Sequence, residues 1–138
     1  MVKVNNYEVP EGLHYTKDYM WVHIEKGKAK IGITDYAQKQ LREIVFVELP
    51  SPGDTITKAE PFGTVESVKA VSDLVAPVSG KIEQVNKEVS DKPELLNEDP
   101  YNKGWLIVVA PTSLDADLKQ LMDFNKAVEW HKQLLKEG

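Results

Sequence analysis

Met20–Glu25 and Lys28–Ile33 alternate apolar and polar residues on either side of Lys26-Gly27, the pattern of a β-hairpin with one buried face. A short helix is predicted next: Thr34 is suited to cap it, Asp35 favours its positive end, and Tyr36, Ala37, Gln40 and Leu41 form a stripe. Val45-Phe46-Val47-Glu48-Leu49 returns to strand, and Pro52-Gly53 suits the central positions of a type II turn before Thr55-Ile56-Thr57 extends again. Two strand-like arms, residues 62–68 and 71–78, then flank Lys69-Ala70. Residues 82–85 read as another short strand, and residues 92–100 are polar with a helical turn at their centre. Trp105-Leu106-Ile107-Val108-Val109, bounded by Gly104 and Pro111, reads as a buried strand.

The pattern changes after Ser113. No glycine or proline interrupts residues 113–137, and Leu114, Leu118, Leu121 and Met122 recur at helical spacing. Ala127, Trp130 or His131, and Leu134 continue the stripe, which predicts one or two helices packed over the strands. Many short strands followed by terminal helix predict a mainly-β fold, a sandwich or flattened barrel. With 138 residues the chain is expected to be one domain over 1–138, its core at about 13–111.

Composition narrows the chemistry. There is no cysteine, which excludes disulfides and thiolate metal sites. A net charge of −5 argues against a nucleic-acid surface. No stretch has the length or apolarity of a membrane span or a secretion signal, so a soluble, cytoplasmic protein is expected. His14, His23 and His131 lie far apart without metal-ligand spacing and are expected at the surface or an interface. No phosphate-binding loop follows from Gly27-Lys28, and there is no Gly-x-Ser-x-Gly elbow. Glu98-Asp99, Asp115 and Asp117 are expected to be solvated or capping groups, and Trp21, Trp105 and Trp130 packing aromatics. No self-contained catalytic constellation is visible.

Lys69 is the position that turn chemistry leaves unexplained. Lys69-Ala70 has the length of a two-residue hairpin loop but lacks the Asn-Gly or Asp-Gly that such loops prefer. An ordinary solvated turn lysine is one reading. The other is a lysine displayed for modification, on a rigid support where an enzyme can reach it.

The stretch Gly63-Thr64-Val65-Glu66-Ser67-Val68-Lys69-Ala70, with Pro77-Val78-Ser79-Gly80 after it, resembles the lipoyl-attachment hairpin of the glycine cleavage system H-protein family. Gly32-Ile33-Thr34-Asp35-Tyr36-Ala37-Gln38, Val45-Phe46-Val47-Glu48-Leu49-Pro50, Pro52-Gly53, Pro100-Tyr101 and Gly104-Trp105 resemble further signatures in the family's order. The resemblance implies a barrel-sandwich hybrid of the lipoyl/biotinyl type, with lipoic acid amide-linked to Lys69. Biotinyl relatives carry methionine on both sides of the lysine, whereas Val68 and Ala70 flank it here. It also implies a non-catalytic carrier that shuttles the aminomethyl group of glycine. The implied partners are glycine decarboxylase (P protein), aminomethyltransferase (T protein), dihydrolipoyl dehydrogenase (L protein) and lipoate-attaching enzymes.

Three positions are implied to support the arm in a cleft: Asp73, Tyr36 and Met20. Where the family reads His-Glu-Trp, this chain reads Tyr19-Met20-Trp21, so methionine replaces the glutamate associated with the cargo amine. Tyr36 stands where some members have histidine, while Asp73 matches. These departures raise an alternative, an H-like lipoate-binding protein serving lipoyl relay or a sulfur-oxidising heterodisulfide-reductase-like system. An unmodified β-rich interaction module is the reading from a different class.

Overall fold

The computed structural model describes residues 2–4 and 6–137. Their strands are β1 Val2–Val4, β2 Tyr7–Val9, β3 His14–Tyr15, β4 Met20–Glu25, β5 Lys28–Ile33, β6 Ile44–Glu48, β7 Thr55–Ile56, β8 Pro61–Ser67, β9 Val71–Val75, β10 Gly80–Val85 and β11 Ile107–Pro111. The helices are α1 Asp35–Leu41, α2 Lys87–Asp91, α3 Leu95–Glu98, α4 Leu114–Lys119 and α5 Phe124–Glu137. Strands β3-β4-β5-β11-β10-β7 form one antiparallel sheet, β6-β8-β9 a second, and β1-β2 a separate hairpin. The sheets stay open rather than closing into one barrel. The two larger ones share an apolar core, with Ile31, Ile33, Ile82 and Ile107 from the first and Val47, Val65 and Leu74 from the second.

Local chemistry explains several boundaries. The hairpin β4–β5 follows the predicted alternation, pairing Met20 with Ile33 and Glu25 with Lys28. Thr34 caps α1 by accepting the Ala37 N–H through Oγ1 at 3.2 Å. Gly53 has φ 95°, as the second central residue of a type II turn requires. Gly63 is constrained by proximity instead: a Cβ there would collide with the backbone oxygen of Glu48 on the neighbouring strand.

Other elements differ from the pattern-based expectation. The hairpin β1–β2 and the short strand β3 were not anticipated, nor was α2, which buries only Val89 and has no apolar period to betray it. Strand β11 begins at Ile107 rather than Trp105. Leu106 is fully buried and donates its N–H to Ile31 O at 2.8 Å, so the apolar run reaches beyond the strand. Asp117 is buried instead of solvated, because its carboxylate accepts the Ser79 N–H at 3.0 Å and ties α4 to the bend before β10.

The tail forms two helices. α5 packs against β1, β2 and β3, closing a second core of Val4, Val9, Tyr15, Trp21 and Ala127. His131, expected at the surface or an interface and left open with Trp130 as a member of the helical stripe, is fully buried. It follows Ala127 by four residues and therefore shares its inward face. Its Nδ1 lies 2.7 Å from Ala127 O, and the tautomer that donates this bond leaves Nε2 without a partner among the described residues. Tyr15 and Tyr36 meet the ring edge-on. The first turn of α1 is pinned to the same layer: Tyr101 Oη accepts the Asp35 N–H and donates to Glu8 O, while Asp35 Oδ2 accepts the Glu8 N–H.

Two predictions follow from this packing. Gly63→Ala should lower stability by about 1–3 kcal/mol, the usual overpacking cost, in a urea titration. Burial lowers the His131 pKa below its ordinary 6.5, against smaller raising effects of its bond to Ala127 O and of the Asp35 charge. The unfolded chain then binds the proton more readily than the folded one. This contribution to stability is complete above about 6.5 and is lost as pH falls below it. The urea midpoint should therefore drop more steeply between about pH 7 and pH 5.5 in the parent than in His131→Phe, which keeps an aromatic ring but cannot titrate.

Candidate carrier lysine and cleft

Strands β8 and β9 pair from Pro61↔Val75 to Glu66↔Val71, leaving Val68, Lys69 and Ala70 at the tip beyond Ser67. Alternation along β8 turns Val65 and Ser67 inward and Glu66 outward. The buried Ser67 hydroxyl thus lies beneath the turn and organises it. Its Oγ accepts the N–H groups of Lys69 at 3.1 Å and Ala70 at 3.0 Å and donates to Ala70 O at 3.2 Å. Ser67 N–H also donates to Ala70 O at 2.8 Å, and Val68 N–H donates to Glu43 O at 3.0 Å. A side chain thus supplies the closure that an Asn-Gly turn would have supplied through its backbone.

Lys69 is exposed. Among the described residues no carboxylate forms an ion pair with its amine. Around the turn, Val68 and Val71 are 67% and 64% exposed, and Val45 and Phe46 on β6 are 45% and 52% exposed. The lysine therefore rises from an apolar collar on a backbone that is fixed at three points.

Met20, Tyr36 and Asp73 come together in one cleft of about 240 Å³. Met20, from the start of β4, is only 1% exposed and contributes an apolar surface. From α1 the cleft is lined by Tyr36, Ala37, Gln40 and Leu41, so the helical stripe expected from spacing faces this opening as much as the core. Ser72, Asp73 and Leu74 line it from β9, the strand that leaves the lysine turn. Asp18 and Tyr19 complete the wall, and sequence reasoning had not singled out either as a cleft residue. A Thr16-Lys17-Asp18-Tyr19 turn ahead of a strand was the available signal, and it is too ordinary to mark a site. Burial, with smaller effects from Tyr19 and Tyr7, raises the Tyr36 phenol above its ordinary pKa of 10, so it stands in the cleft as a neutral hydroxyl.

The arrangement suits display of the lysine and shelter beside the cleft wall. The described residues contain no cluster of three or more histidine, cysteine, aspartate or glutamate side chains able to hold a metal ion, and no helix among them is long and apolar enough to cross a membrane. Strand β9 leads from the Lys69 turn to a cleft with an apolar floor, tyrosine walls and the carboxylates of Asp18 and Asp73.

The family model described as "Glycine cleavage H-protein" matches residues 13–134. A probable glycine cleavage system H protein of Pyrococcus horikoshii is 49% identical over 135 residues, covering 97% of this chain and all of that one. The glycine cleavage system H protein of a Geobacillus species is 49% identical over 129 residues, covering 94% and 98%. Among solved structures, a glycine cleavage system H protein from Mycobacterium marinum superposes with a TM-score of 0.82 at 37% identity, over 89% of this chain and 98% of that one. With the sheet arrangement above, these matches show the lipoyl barrel-sandwich fold, and the chain belongs to the glycine cleavage H-protein family.

Proposed function

We propose that Lys69 is the lysine on which this protein carries lipoic acid, and that the cleft bounded by Met20, Tyr36 and Asp73 shelters the loaded arm. The family supplies the wider role: the protein is a lipoyl carrier of the glycine cleavage system. The observation that carries the site assignment is the geometry of the turn. Among the described residues, Lys69 alone combines an exposed amine with a tip braced by the Ser67 hydroxyl and a strand that continues into the cleft. When bound, lipoic acid supplies a reducible disulfide at the end of a flexible arm.

The chain's own residues account for the rest. Amide formation removes the lysine charge, so the arm can lie on the apolar collar of Val68 and Val71 without burying an ion. An aminomethyl cargo is cationic, and the carboxylates of Asp18 and Asp73 oppose that charge while Tyr19 and Tyr36 limit water. Met20 offers no charge. The cargo amine is therefore held here by carboxylates at the wall, without one at the floor. The partners are glycine decarboxylase, aminomethyltransferase, dihydrolipoyl dehydrogenase and the lipoate-attaching enzymes. The protein acts in the cytoplasm as a non-catalytic carrier among them, and the matches above favour this over an H-like carrier for another pathway.

Two measurements test the assignment. After incubation with a lipoate ligase, peptide mapping should find lipoate on Lys69, and Lys69→Arg should abolish it with little change in stability, as for other exposed sites. Equal labelling of Lys81 or Lys87 would contradict the assignment. Once loaded with aminomethyl, Met20→Glu should release ammonia spontaneously about threefold to tenfold more slowly than the parent, the range expected from one charged hydrogen bond offset by desolvation. Equal rates would mean that a carboxylate at the floor adds nothing to the hold of Asp18 and Asp73, and that Met20 does not weaken retention.

A further inference from the structure

Tyr19 occupies a costly backbone conformation at the mouth of the cleft. Its φ is 69°, a region that bulky residues rarely adopt. The main chain is held on both sides: Tyr19 N–H donates to Thr16 O at 3.2 Å, and Tyr19 O accepts the Thr34 N–H at 2.9 Å. These bonds fix where the side chain departs but not where its ring rests. Tyr19 is 37% exposed, so burial alone does not fix its ring.

Its neighbours do. The Tyr19 ring is stacked on Tyr36 at 5.4 Å and 24°, and on Trp130 at 5.5 Å and 26°. Tyr36 lines the cleft from α1, whereas Trp130 belongs to α5 and does not line it. The base of this stack is firm, because the adjacent His131 is fully buried and meets Tyr36 edge-on at 6.0 Å. An aromatic series thus runs from the C-terminal helix to the cleft wall, passing through the residue with the unfavourable φ.

We propose that Trp130 is a positioning residue of the cleft: by stacking on Tyr19 it holds the Tyr19–Tyr36 wall closed beside Met20, so the C-terminal helix governs how long a loaded arm stays sheltered. The retention part of this claim rests on the carrier reading above; the positioning part does not. Without Trp130, the Tyr19 ring loses one of its two stacking partners and swings toward solvent, opening the wall to water.

The test uses the full chain in two forms. In the unmodified protein, nuclear Overhauser contacts between the Tyr19 and Tyr36 rings should weaken in Trp130→Ala and return in Trp130→Phe. Leu135→Ala, which removes a different apolar contact of α5 with the second core, should leave them intact. In the lipoylated protein loaded with aminomethyl, spontaneous ammonia release should quicken about threefold to tenfold in Trp130→Ala and stay near the parent rate in Trp130→Phe, as expected for loss of one aromatic pair. Unchanged Tyr19–Tyr36 contacts in Trp130→Ala would overturn the positioning role, as would equal effects from Leu135→Ala. Weakened contacts with an unchanged release rate would overturn its role in retention. Failure of the parent to load would instead overturn the carrier reading and the retention claim with it, while the ring contacts would still decide the positioning role.

Discussion

The lysine turn depends on the burial of one face of a small sheet. Val47, Val65 and Leu74 of β6, β8 and β9 enter the core shared with the six-stranded sheet, and each such side chain contributes roughly 1.5–3 kcal/mol when fully buried. Because strand side chains alternate, committing Val65 to the core also commits Ser67 inward and leaves Glu66 outside. The hydroxyl that closes the turn is therefore placed by hydrophobic register. A slip of one residue would turn Ser67 outward and bring Glu66 and Val68 toward the core, removing the brace from beneath Lys69. Exposure of the lysine and rigidity of its base have the same cause.

A second layer sets the cleft. The N-terminal hairpin, α1 and α5 meet around Tyr15, Trp21 and His131, and Tyr101 joins them by bonding Asp35 N–H and Glu8 O at once. Trp21 donates its indole N–H to Pro100 O at 3.0 Å, so the loop before β11 is drawn to the same place. Met20 is the residue next to Trp21, and alternation directs it to the opposite face, into the main core and the cleft floor. The apolar lining of the pocket comes from the main core, through Met20, Ile33, Val65 and Leu74, and residues far apart in sequence, such as Asp18 and Asp73, share its wall.

Much of the fold was legible because single segments carried their own instructions. Alternation around Lys26-Gly27, the Thr34 cap and the Pro52-Gly53 turn are local signals, and each is realised. What could not be read was non-local. Val2-Lys3-Val4 is too short to announce a strand, and it becomes one by pairing with Tyr7–Val9. His131 shares a helical stripe with Ala127, but nothing in the spacing chose it over Trp130 as the buried member. At the site, pattern reasoning marked Lys69 through an odd turn, whereas Met20, Tyr36 and Asp73 came from family likeness. Asp18 and Tyr19 emerged only once the chain was folded, because a cleft wall assembled from a turn, a helix and a strand has no period of its own.

The most direct measurement is whether glycine decarboxylase uses this protein as its carrier. Exchange of labelled bicarbonate into the carboxyl group of glycine, with this protein as the sole carrier, requires the aminomethyl group to pass onto the arm and back. The account predicts exchange in proportion to the amount of protein lipoylated at Lys69, and none with unmodified protein or Lys69→Arg. Absence of exchange with fully lipoylated protein, or exchange that persists in Lys69→Arg, would contradict it.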